Sequence, residues 1–87
     1  MPVWPSWWDW ELELTPHVEK RMEDRSFSET DLRLMLEGAI LLKPDLVEGR
    51  HVVETRHGGR AWEVIVEPDE IDRLLVVVTA YPVDRKA

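Results

Sequence analysis

The chain of 87 residues contains no cysteine, so neither a disulfide framework nor a thiolate metal site is open to it. That absence fits a reducing, cytoplasmic setting. No apolar run approaches the ~18 residues that a membrane span requires. The start Met1-Pro2-Val3-Trp4-Pro5 lacks the basic and apolar regions of a signal peptide. A soluble cytoplasmic protein with no membrane partner is expected. Basic residues are in the minority, 11 against 18 acids, for a net charge of −7. A field of that sign opposes non-specific nucleic-acid binding, which relies on Lys and Arg to neutralise phosphates. There is no glycine-rich phosphate loop and no serine-centred nucleophile elbow. His17, His51 and His57 show no metal-ligand spacing, so neither a metal nor a cofactor is expected.

What is present describes one small domain spanning residues 1–87, with a leader over 1–7 and a core over 8–83. So short a chain buries somewhat over ~60% of its unfolded surface, which leaves a thin stability margin that an oligomer would help. Four of the five tryptophans, Trp4, Trp7, Trp8 and Trp10, crowd into the first ten residues. Pro2 and Pro5 predict an extended lead-in. From Trp8 the pattern alternates, with Trp8, Trp10, Leu12 and Leu14 on one side and Asp9, Glu11 and Glu13 on the other, as in a half-buried strand. Thr15-Pro16 reads as an N-cap followed by proline at the first helical position, opening a helix to about Arg25. Ser28 and Asp31 form a capping-box pattern, Phe27 and Leu32 have staple spacing, and Gly38 is the expected stop.

After Pro44 the sequence reads as antiparallel sheet, with Gly58-Gly59 suited to a primed hairpin turn. That turn sets a register in which Thr55 faces Trp62, Val53 faces Val64, and Glu54 faces Glu63. Opposed carboxylates need a cation over them; Arg56 is the nearest expected one, with Arg21 or Arg25 as alternatives. The run Leu74–Tyr81 is apolar on both faces and is expected to be central and covered on both sides. The helices would cover one face, and the tryptophan leader or a second copy the other. The expectation is an α+β domain: an N-terminal strand, a helical hairpin, then a three-stranded antiparallel meander.

Within the first helix, His17, Arg21 and Arg25 recur at intervals of four and fall within an arc of about 80°. His17 near the helix start lies where free amides and the dipole favour a neutral imidazole and a bound anion.

The segment Thr15–Arg25 followed by Phe27-Ser28-Glu29, the glycine hairpin, and the closing Val78-Thr79-Ala80-Tyr81 resemble a small bacterial family of unknown function (DUF4258-like) over about residues 10 to 83. That family is grouped with the barnase, EndoU, colicin and RelE ribonuclease-toxin fold. The resemblance implies that fold and, by analogy, a metal-independent endoribonuclease or a relative that lost the activity. It places a site at His17, at Arg56 or Arg60, and at Thr79 with Tyr81. In that chemistry His17 would be the general acid or base and Arg21, Arg25, Arg56 and Arg60 would hold phosphate. RNA and an antitoxin-type protein would be the partners. The competing expectation is a non-catalytic homodimer in which these residues form structural ion pairs. The interface would then run through Trp4, Trp7, Trp8 and Trp10.

Overall fold

The alternation Glu11-Leu12-Glu13-Leu14 forms the first strand, β1 (Glu11–Leu14), in the computed structural model, which describes residues 4–84. The strand does not begin at Trp8. Ser6–Asp9 instead closes a short 3-10 helix behind Pro5, with the Trp8 and Trp10 amides donating to the Pro5 and Trp7 carbonyls. This turn sets Trp7, Trp8 and Trp10 against the core in place of an extended lead-in. Residues 1–3 of the expected leader lie outside the described residues.

Thr15 caps α1 (Pro16–Asp24), its hydroxyl accepting from the Val18 amide at 3.1 Å. Ser28 caps α2 (Glu29–Glu37) through the expected capping box, with Ser28 and Asp31 exchanging bonds of 2.8 and 3.1 Å. Four further strands follow: β2 (Leu41–Pro44), β3 (His51–His57), β4 (Arg60–Asp69) and β5 (Leu74–Val83). They join β1 in one sheet of order β1-β5-β4-β3-β2, with β1 parallel to β5 and every other pair antiparallel. The fold is therefore α+β, but its sheet is mixed and five-stranded. The strand missing from the expectation is β2. The expectation places no element over these four residues, and an edge strand tolerates Pro44 because its outer side makes no ladder bonds. The helices also differ from a self-packed hairpin: α1 leans on β5 and α2 on β3.

The hairpin register matches the expectation at Thr55↔Trp62, Val53↔Val64 and Glu54↔Glu63. Gly58 and Gly59 supply it with φ of 59° and 79°, the left-handed pair that a primed turn requires. The β4–β5 pairing then slips: Ile65 faces Thr79 while Val66 faces Val77, leaving Val78 as an extra residue. Leu75, Val77 and Ala80 consequently point to the helices and are buried, whereas Thr79 and Tyr81 turn to the other face.

Val18, Leu32 and Met35 from the helices meet Val53, Val64, Val77 and Ala80 of the sheet to form the core. The tryptophan leader packs on this same face, Trp7 against His51 at 4.9 Å, and does not cover the opposite one. Among the described residues no helix lies over the far side of β5, and of the two covers expected there the leader packs on the helix side instead. The Thr55 hydroxyl, buried to 2% exposure, donates to the Met35 carbonyl at 2.6 Å and satisfies one of the open carbonyls in the last turn of α2.

Thr15 reaches β5 as well as α1: its hydroxyl lies 2.9 Å from the Val78 carbonyl and 3.2 Å from that of Val77. Thr15→Ala removes the helix cap and the tie to the bulge together. A loss of about 1–2 kcal/mol is expected, read as a lowered denaturant midpoint with unchanged slope. An unchanged midpoint would show that the cap contributes nothing.

Candidate functional site

The sheet face turned away from the helices carries the ionisable side chains. Register places Leu41, Glu54, Glu63 and Tyr81 in one row across four strands, with Lys43, Val52, Ile65 and Thr79 in the next. Arg56, Ala61 and Val83 make the row on the hairpin side. Val52 and Ile65 are buried among these polar neighbours although no helix lies over them. The opposed carboxylates are compensated from both flanks. Lys43 Nζ lies 2.9 Å from Glu54, and the Tyr81 hydroxyl donates to Glu63 at 2.8 Å. Arg56, the expected cation, instead donates to the Gly59 carbonyl at 3.1 Å. Lys43 escaped the sequence reading because β2 did; Glu63 was visible as one of the opposed acids, but its tyrosine partner depends on the bulge.

Arg56 and Arg60 come together. With Gly59, Ala61, Val83 and Asp84 they line a cleft of about 200 Å³ at the hairpin end of the sheet. Asp84 approaches Arg60 only to 3.9 Å, and both side chains are largely exposed. Two guanidiniums flanking one small cleft suit an oxyanion such as phosphate.

The helix row does not join them. His17 is exposed, makes no hydrogen bond or ion pair among the described residues, and does not line the arginine cleft. Arg21 pairs with Asp24 at 3.1 Å, and Arg25 donates to the Ala80 carbonyl at 3.3 Å. Arg25 thus ties α1 to the edge of β5 beyond the end of β1.

The remaining candidates are placed structurally. His57 is half-buried beside the turn, with its ring edge-on to Trp62 and Nε2 3.8 Å from Asp31. The His51 ring lies tilted against Trp7, with its Nδ1 buried and unbonded among the described residues. Trp4 stacks on Trp8 at 4.7 Å, and none of Trp4, Trp7, Trp8 and Trp10 is fully exposed. Trp7, Trp8 and Trp10 pack in part against the core. Among the described residues no three His, Asp or Glu side chains gather around a common point suited to a metal ion, and no helix is long and apolar enough to cross a membrane.

Tyr81 is the chain's single tyrosine. Burial first, then the hydrogen bond and charge of Glu63 and the charge of Asp45, raise its pKa from 10.0 to about 12. Because the folded value is the higher one, this stabilisation is complete below pH 10 and is lost as pH rises through about 12. Tyrosinate absorbance should therefore show a midpoint near 12 while circular dichroism remains native. Glu63→Gln should lower that midpoint without restoring the ordinary value, since burial persists. A wild-type midpoint at the ordinary value would refute the Tyr81–Glu63 bond.

Over residues 14–82 the chain matches the model of a family described as a domain of unknown function, DUF4258. The match takes in both helices, all of β2 to β4, and β5 up to Pro82. No curated protein and no solved structure is significantly similar to it. With a family model spanning most of its length, from the last residue of β1 to Pro82 of β5, the chain belongs to the DUF4258 family.

Proposed function

We propose that the chain is a metal-independent endoribonuclease whose site is the uncovered sheet face beside the arginine cleft. The observation that carries this reading is the Tyr81–Glu63 hydrogen bond, an acid–base pair one row from Arg56. The Glu63 carboxylate takes the proton of a ribose 2′-hydroxyl, whose oxygen attacks the adjacent phosphorus. Arg56 and Arg60 hold the phosphoryl oxygens as charge builds on them. Tyr81 gives its proton to the departing 5′-oxygen, a stronger base than tyrosinate. The proton on Glu63 then passes to Tyr81 and restores both groups, leaving a 2′,3′-cyclic phosphate and a free 5′-hydroxyl. Thr79, on the same face one row away, packs beside the substrate. This reading moves the chemistry off His17, because the arginines nearest it in sequence are engaged elsewhere.

Single-stranded RNA incubated with the purified protein and a chelator should be cut to cyclic-phosphate ends. Glu63→Gln, or Arg56→Ala with Arg60→Ala, should slow cleavage at least ~100-fold, and His17→Ala should leave it within a few-fold. Equal rates for Glu63→Gln and wild type, or no cleavage by the wild type, would overturn the assignment.

A second reading, a homodimeric module without chemistry, is favoured by the exposed Ile40, Leu41, Leu46 and Val47 on and beside β2. The strand is short and carries Lys43 and Pro44, which discourage ladder pairing, so contact would be through side chains. Under this reading sedimentation shows a concentration-dependent dimer that Leu41→Glu with Leu46→Glu converts to monomer. A monomer at all concentrations would eliminate it.

A further inference from the structure

A second concavity lies on the helix side of the sheet, between the tryptophan leader and α2. Its volume is about 330 Å³, within the range of small-molecule sites. Leu12 of β1, Leu75 of β5 and Leu36 of α2 provide its apolar lining, and Trp8 and Trp10 its aromatic one. The Trp8 ring is held by its stack on Trp4, 22° from parallel. Indole faces present the negative lobe of their quadrupole, which attracts cations more strongly than any other side-chain ring does.

The polar lining carries the matching charge. Asp9 follows Trp8 directly and Glu37 closes α2, and both line the cavity. Arg33 also lines it, but its guanidinium is drawn to Glu29 one turn back, at 3.4 Å. Two carboxylates therefore stand in the lining against one guanidinium that Glu29 already engages, on a protein of net charge −7. Glu37 also sits at the negative end of the α2 dipole, which adds to the attraction for a cation.

We infer that this cavity binds a small organic cation, an ammonium or guanidinium group carried on an apolar or aromatic body. The body would lie on the leucines and the charge between the indoles and the carboxylates. A neutral molecule of the same shape forgoes the cation–π and carboxylate attraction, and an anion is repelled. The site lies on the opposite sheet face from Glu63 and Tyr81 and is independent of any chemistry there.

The test uses phenethylguanidinium, its neutral near-isostere phenethylurea, and the anion 3-phenylpropionate, each titrated into the intact protein. The indole N–H resonances of Trp8 and Trp10 are followed by NMR. Phenethylguanidinium should shift both resonances saturably, with at least about ten-fold higher affinity than phenethylurea. Phenylpropionate should produce no saturable shift. Asp9→Asn with Glu37→Gln, both at surface positions that keep the fold, should weaken phenethylguanidinium about ten-fold and leave phenethylurea unchanged. Arg56→Ala should have no effect on either. Equal affinity for the guanidinium and the urea, tighter binding of the anion, or no saturable shift with any of the three would overturn the inference.

Discussion

The Thr15 hydroxyl sits where three elements of the structure meet. It caps α1, it closes the end of β1, and it faces the two carbonyls, Val77 and Val78, at which β5 bulges. An extra residue in a strand leaves its carbonyls poorly matched to the neighbouring ladder. Here a side chain that must already turn the chain from strand to helix meets them. Without the bulge, alternation would put Val77, Thr79 and Tyr81 on one face. With it, Val77 belongs to the core, while Thr79 and Tyr81 belong to the row that includes Glu63.

The two faces of the sheet divide the molecule's work. One side takes both helices and the tryptophan leader and contains nearly all of the buried apolar volume. On the other, ionisable groups stand in adjacent rows with Val52 and Ile65 shielded between them. Glu54 against Glu63 would be a defect in an ordinary strand pair. Lys43 from one flank and Tyr81 from the other turn it into a polar network reaching across four strands. The open face combines charge, partial burial and access, which the proposed chemistry needs. The opposite face combines aromatic walls and carboxylates, which suit a cation.

Much of this was legible along the chain because it depends on neighbours. Thr15-Pro16, the Ser28–Asp31 box and Gly58-Gly59 act over a few residues, and each forms the cap or turn its chemistry predicts. The Thr55↔Trp62 register follows from the turn alone. The misreadings arose where distance along the chain mattered. Leu41–Pro44 becomes a strand only because β3 offers an edge, entered through the Glu54 carbonyl that the preceding Ile40 amide meets at 2.8 Å. Trp8 and Trp10 fit an alternating strand by pattern, but burying large rings against the core outweighed extension. The His17–Arg21–Arg25 row does form a helix edge, yet Asp24 and the Ala80 carbonyl take up its arginines.

The sequence by itself determined the two capped helices, the hairpin register and membership of an α+β class. These rest on backbone preferences and on apolar periods that a short window contains. The tertiary structure alone decided which strand lies beside which, where β5 slips, and therefore which side of the sheet receives Tyr81. It also decided that Lys43 of β2 pairs with Glu54. Such outcomes depend on groups far apart in the chain competing for the same partner, and no local pattern records who wins.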